Sequence, residues 1–279
     1  MTKTQVLVLG ATGRIGGVLR SFWPAGAFPS PVTWQARRIG AGPDFKVFDP
    51  ISEPAEFARA VRGRTVLCLA GPVPGRGEGD PEDHVRLAEV AIRAAGEGGG
   101  GPVLLASSAA VYGAAGGVLD EGVPLRPLSD YGRAKARMEE VAARLADQIG
   151  VRVTSLRIGN VAGCDAILGG WRPGFMLDRF ADGRTPRRSY VGPASLARIL
   201  GDLVARRDLP PALNVALPGV VEMGALLDAA GLEWTPRPAP DSAIEVVELS
   251  TRALGTFTRL DPSANLPATL VREWQDWQA

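Results

Sequence analysis

The sequence predicts an α/β fold, a doubly wound parallel sheet with a smaller C-terminal substrate lobe, and three observations carry that prediction. Short apolar runs alternate with helical patterns over the first 165 residues. The first of these runs leads straight into a glycine-rich turn and a helix. Beyond residue 165 the alternation loosens, with Trp171, Pro173 and Gly174 in an irregular stretch. The chain therefore divides into a sheet domain, residues 1–165, and a smaller lobe, residues 166–279, partly interleaved with the sheet over about 193–217. With 279 residues and 46% hydrophobic content it has material for a substantial core. Its 35 Gly and 23 Pro imply many turns but fall short of low-complexity composition.

Each element has its own signal. Residues 6–9 form an apolar run read as a buried strand, and the turn at 10–16 opens a helix whose apolar face is Ile15, Val18, Leu19 and Phe22. A second strand, 32–36, ends in Arg37 and Arg38. A short helix over 54–62 stops at Gly63, and residues 65–70, apolar and β-branched on both faces, read as a buried parallel strand. Pro81 starts a helix with Val85, Ala88, Ile92 and Ala95 at three and four spacing. The glycines at 98–101 form a loop before the strand 103–106, and residues 107–113 read as a polar loop. A helix over 131–148, a strand over 151–158, a helix over 193–206 and a strand over 213–217 complete the pattern. No repeat of 20 to 50 residues is present.

Charge and cysteine content exclude several functions. Lys and Arg number 31 against 30 Asp and Glu, a balance that argues against nucleic acid or a membrane surface as partner. No apolar run reaches the ~18 residues of a membrane helix, and the run at 6–9 is shorter than a signal-peptide core, so a cytoplasmic location is expected. Cys68, Cys164 and the lone His84 offer neither a disulfide framework nor a metal set. His84 reads as a partly exposed helix residue, and Trp274 and Trp277, at helical spacing with Leu270, as core cover rather than a ligand platform.

The turn carries the first functional signal. A strand entering a glycine-rich turn before a helix gathers backbone N–H groups and the helix dipole at one point, which suits a pyrophosphate. Gly10 permits the turn, Gly13 lets phosphates approach the backbone, and Gly16 lets the helix pack closely, the pattern of a Rossmann-type dinucleotide site that also engages Thr12, Arg14 and Ile15. At the end of the second strand a carboxylate would bind a ribose diol, but this chain has Arg37 and Arg38, which suit a 2′-phosphate, so NADP is favoured over NAD. Asp49 reads either as a contact to the adenine edge or as a helix cap before Pro50.

Tyr131 and Lys135, four apart, share one face of their helix. A phenol of pKa about 10 needs roughly 4 kcal/mol of preferential phenolate stabilisation to act as a base at neutral pH. Lys135 and a cationic oxidised nicotinamide are the expected sources.

In its first 165 positions the chain resembles the extended short-chain dehydrogenase/reductase family, also called the NAD-dependent epimerase/dehydratase family. The resemblance rests on GATGRIG at 10–16, CLAG at 68–71, SSAAVYG at 107–113, DEGVPLRPLSDYGRAK at 120–135 and RIGNVAG at 157–163. It implies that Tyr131 is the catalytic acid/base, that Lys135 binds the nicotinamide ribose and depresses the tyrosine pKa, and that Ser108 positions the substrate oxygen. It adds Leu69, Ala70 and Gly71 to the cofactor site. In the family's sugar-nucleotide 4,6-dehydratases an Asp-Glu pair follows the hydroxyl residue. This chain has Ala109-Ala110 there, which leaves reversible hydride transfer at a carbinol or ketone, as in an epimerase or a reductase.

The second half resembles the family more faintly. Asn160 matches an asparagine near the substrate diphosphate, and Arg188 an arginine that can hold the nucleotide. Ser195, where the family usually has an aspartate, could cap the helix that follows. The implied substrate is a sugar nucleotide or another small carbonyl compound, and the assembly considered is a homodimer. The alternative from a different class is a non-catalytic NAD(P)-sensing regulatory or scaffold protein; retention of Ser108, Tyr131 and Lys135 together argues for the enzyme.

Overall fold

A computed structural model describes residues 4–23, 31–38, 45–72 and 79–279. Seven strands form one wholly parallel sheet: β1 (Gln5–Leu9), β2 (Val32–Ala36), β3 (Phe45–Val47), β4 (Arg64–Cys68), β5 (Val103–Ser108), β6 (Val153–Ile158) and β7 (Ala212–Val215). Their order, 7-6-5-4-1-2-3, reverses direction between β1 and β4, so the carboxyl ends of those two strands flank a crevice. Both faces must be covered for such apolar strands, and both are. Helices α1 (Arg14–Phe22) and α5 (Pro193–Val204) bury Val18, Leu19, Leu196 and Leu200 against one face. On the other, α2 (Pro54–Val61), α3 (Asp83–Glu97) and α4 (Asp130–Ile149) bury Phe57, Ala88, Ile92, Met138 and Ala142.

The later lobe is built from short pairings. A four-stranded sheet joins Val221–Glu222, Arg187–Arg188, Val246–Leu249 and Val118–Leu119, so residues from both halves of the chain share it. Helices α6 (Met223–Ala229) and α7 (Pro267–Gln278) close the lobe. Trp274 and Trp277 of α7 pack against the core as expected, Trp274 lying against Gly163, where a Cβ would fall 2.1 Å from its ring.

Several boundaries differ from the sequence reading. Ser107 and Ser108 belong to β5 rather than to a loop, because the register with β6 continues to Ser108↔Ile158; only Ala109–Tyr112 leave the sheet, as a single tight helical turn. β4 ends at Cys68, and Leu69 and Ala70 lie beyond it, although the Leu69 N–H still donates to the Leu9 carbonyl at 3.0 Å. Ser195 does not cap α5: Gly192 is the cap, and both the N–H and hydroxyl of Ser195 donate to the Glu273 carboxylate from α7, at 2.9 and 2.7 Å. Among the described residues no helix is long and apolar enough to cross a membrane, and no cluster of His, Cys, Asp and Glu could hold a metal ion. Cys68 is buried and Cys164 partly buried, and neither is in a disulfide.

Candidate dinucleotide and catalytic site

The glycine turn is held from below and open above. Gly10 has φ +76, and a Cβ there would lie 2.7 Å from the Ala70 nitrogen, so the β1 and β4 ends approach too closely for a side chain. A Cβ on Gly16 would meet the Gly10 and Ala11 carbonyls at 2.5 Å, which makes the turn itself, rather than the sheet, the surface it packs on. Gly13 caps α1 without any side-chain hydrogen bond, and above it a Cβ would find only the Gly10 oxygen, at 3.2 Å. Thr12 and Gly13 are exposed, Arg14 and Ile15 partly buried. An uncapped, accessible helix N-terminus without a bulky neighbour fits a pyrophosphate.

Gln35, absent from the sequence reading, fixes this turn. It is buried in β2, accepts the Gly10 N–H at 3.2 Å and donates to the Phe48 carbonyl at 2.6 Å. The signal was a lone amide in an apolar strand, which burial obliges to find partners. Arg37 and Arg38 are exposed at the end of β2, with no ion pair among the described residues. Asp49 does not cap α2, whose cap is Glu53; its carboxylate instead accepts the Ile51 and Ser52 N–H groups at 2.9 and 3.3 Å, closing a local turn.

Ser108, Tyr131 and Lys135 are brought together by β5 and the first two turns of α4. The helix start is fixed by Ser129, whose hydroxyl accepts the Gly132 N–H at 3.0 Å, and by Gly132, where a Cβ would lie 2.6 Å from the Ala110 carbonyl. Ser108 faces the Tyr131 phenol, and the Ser108 hydroxyl accepts the Ala110 N–H at 3.2 Å. Lys135 is buried, its Nζ 5.8 Å from the Tyr131 ring centre and donating to the Ala106 carbonyl at 2.5 Å.

Burial dominates the electrostatics here. It pushes the Lys135 ammonium down to about 8, against the pull of Cys68 and Glu139, and raises the Tyr131 phenol, with Ser108 and the Arg14 cation opposing. The Lys135 ammonium is engaged by the Ala106 carbonyl, and the influences that lower the Tyr131 phenol come from Ser108 and Arg14. Arg14 ties the glycine turn to the far side of the site, donating to the Cys164 carbonyl at 2.6 Å.

His84 overturns its reading as a partly exposed residue. It is only 4% exposed, because the first turn of α3 drops it between Gly71 and Tyr131, with its ring edge-on to the tyrosine at 5.8 Å between centres. Desolvation, then the Lys135 charge, lower its pKa to about 3 against a weaker pull from the Pro72 backbone, so it is neutral throughout the physiological range.

Beneath the triad lies a buried polar network that spacing did not reveal. Glu139, one turn beyond Lys135, receives Arg157 of β6 through two bonds to one oxygen, at 3.0 and 2.8 Å, and also the Ser107 hydroxyl. Arg157 continues to the Tyr112 hydroxyl at 2.9 Å, which donates to Asn214 of β7 at 2.8 Å.

The two substrate candidates from the second half stand on short strands of different sheets, Asn160 paired with Tyr190 and Arg188 in the four-stranded sheet. Asn160 contacts the Tyr190 hydroxyl at 3.5 Å, and Tyr190 donates to Asp165 at 2.8 Å. Arg188 donates to the Arg187, Glu245 and Ile244 carbonyls at 2.8, 3.2 and 2.8 Å, with no carboxylate partner among the described residues. Its guanidinium is thus oriented by backbone oxygens, and its charge is not neutralised.

Comparison with known proteins agrees with this architecture. The model of the NAD dependent epimerase/dehydratase family matches residues 6–209. No curated protein matches the chain. Among solved structures, the UDP-glucose 4-epimerase of Thermus thermophilus in complex with NAD is 20% identical, with a TM-score of 0.76 and 99% of each chain covered. DesIV, a dTDP-glucose 4,6-dehydratase from Streptomyces venezuelae with NAD bound, is 22% identical, with a TM-score of 0.74 over 98% of this chain and 97% of its own. The UDP-N-acetylglucosamine 4-epimerase from Methanobrevibacter ruminantium M1, in complex with UDP-N-acetylmuramic acid, is 19% identical, with a TM-score of 0.75 and full coverage of both chains at 100%. These likenesses establish the fold over the whole chain.

Proposed function

The chain belongs to the NAD-dependent epimerase/dehydratase family, and from that premise we propose that it is an NAD(P)-dependent epimerase or reductase acting at a carbinol or ketone of a sugar nucleotide. The observation that carries the proposal is that Ser108 of β5 and the Tyr131 phenol of α4 face each other, with the Lys135 ammonium buried 5.8 Å from the Tyr131 ring centre. When bound, the nicotinamide supplies a hydride acceptor and donor. Gly10, Thr12, Gly13, Arg14, Ile15 and Gly16 would hold its pyrophosphate, and Leu69, Ala70 and Gly71 would border the dinucleotide at the β4 end. Lys135 would bind the ribose next to the nicotinamide.

Tyr131 accepts the substrate hydroxyl proton as the carbinol becomes a ketone and returns it in the reverse direction. Ser108 holds the substrate oxygen within reach of the phenol. Ala109 and Ala110, both without an ionisable group, leave elimination without a local acid or base. Asn160 would lie near the substrate diphosphate and Arg188 would hold the nucleotide, and the exposed pair Arg37 and Arg38 favours the 2′-phosphate of NADP. Incubating the protein with NAD, NADP and their reduced forms against UDP- and dTDP-hexoses and simple ketones tests this reading; absence of both cofactor binding and turnover across the panel would refute it.

A further inference from the structure

We propose that His84 is a positioning residue, wedged between the Gly71 turn and Tyr131, that fixes where the Tyr131 phenol stands. The inference deepens the proposed catalytic site and rests on Tyr131 being its acid/base. His84 is the single histidine of the chain. It is buried, its Nδ1 has no hydrogen-bond partner, and a buried polar atom without a partner opposes folding.

Its two neighbours give the reason for its position. On one side Gly71 has φ +145, and a Cβ there would fall 2.3 Å from His84 Nδ1 and 2.5 Å from Cε1, so the space a side chain would take at 71 is occupied by the imidazole. On the other side the ring meets Tyr131 at an interplanar angle of 72°, the edge-to-face arrangement that aromatic pairs prefer. Tyr131 lies in the first turn of α4, held along its own helix by Lys135 and from β5 by Ser108. His84, from α3, supplies the third side. The turn at the β4 end and the tyrosine are thereby linked through one rigid ring, and movement of the Gly71 backbone passes directly to the phenol.

The ring also keeps the phenol dry. The groups facing Tyr131 are Ser108 from β5, Arg14 from α1, His84 from α3 and Lys135 from α4 itself. Lys135, with a pKa of about 8, is neutral before the phenol titrates, and His84 is neutral throughout. A change in the Tyr131 titration on altering His84 therefore reports access of water and ring position, not loss of a charge.

The test is a phenolate absorbance titration of the cofactor-free protein by rapid pH jump, with the Tyr131 contribution isolated by subtracting the Tyr131→Phe variant. In His84→Ala and His84→Asn, which remove the ring, the Tyr131 pKa is expected to fall toward the ordinary phenol value. His84→Phe, which keeps a ring, is expected to titrate like the unaltered protein. Thermal melts of each variant establish that it is folded. An unchanged titration in both ring-less variants, or a shift in His84→Phe as large as theirs, overturns the proposal. Full turnover in Tyr131→Phe would instead refute the catalytic role of Tyr131 and leave the titration result standing, so the two failures are distinguishable.

Discussion

Replacing Lys135 by Met removes the buried cation while keeping the length of its stem, and the structure predicts a more stable but inactive protein. Burial holds the Lys135 pKa near about 8 instead of 10.5. At 1.36 kcal/mol per pKa unit, that depression corresponds to about 3 kcal/mol of folding free energy lost while the ammonium is charged. Met restores this but forfeits the bond to the Ala106 carbonyl, about 1 kcal/mol, for a net gain of about 2 kcal/mol at neutral pH. The sign with pH follows from proton counting. Between about 8 and 10.5 the unfolded chain holds a proton on Lys135 that the folded chain has released, so the unaltered protein gains stability as pH rises through that window. The Met variant has no such gain, and its advantage must vanish by the upper end of the window. Urea unfolding of both proteins without cofactor, at neutral pH and near the upper limit of the window, measures the difference directly. Equal stability at neutral pH, or an advantage that does not change with pH, would refute the reasoning.

Three further outcomes follow from other parts of the structure. Glu139→Gln should destabilise the fold by about 3–5 kcal/mol, because Arg157, with a side chain 7% exposed, is left buried without its counter-charge; urea or thermal unfolding reads the loss. The double change Arg37→Ala with Arg38→Ala should weaken NADPH about ten- to a hundredfold and leave NADH nearly unchanged, as dissociation constants at fixed ionic strength; a parallel loss of both cofactors would make these arginines an ordinary solvated pair. Arg188→Ala should raise the dissociation constant for uridine or thymidine diphosphate by about tenfold or more, measured by calorimetry, whereas a small uncharged ketone would be indifferent to it.

The sheet was legible because its signals are local. The apolar run of β1, the glycines at 10, 13 and 16 and the three-and-four spacing of Val85, Ala88, Ile92 and Ala95 each report the conformation of their own segment. What sequence could not convey depends on the three-dimensional meeting of distant residues. The sequence suggests a partly exposed His84 because its surroundings are set by the Gly71 turn and by Tyr131, which belongs to a different helix. Glu139 and Arg157, Gln35 and Phe48, and Ser195 and Glu273 pair across elements, and neither partner's neighbours in the chain foretell the other. The polarity of Ser107 and Ser108 suggests a loop, yet their strand continues because β6 supplies backbone partners to its end. Short pairings such as Asn160–Val161 with Tyr190–Val191 carry no periodicity to detect.

The central claim is that the Tyr131 phenol exchanges the proton that accompanies hydride transfer, and one measurement tests it most directly. Turnover of the unaltered protein and of Tyr131→Phe is compared on whichever nucleotide sugar of the UDP- and dTDP-hexose panel is turned over, with cofactor affinity and melting temperature determined on the same preparations. Turnover lower by about two orders of magnitude or more, with affinity and melting temperature unchanged, is the predicted result. Turnover in Tyr131→Phe close to that of the unaltered protein would contradict it.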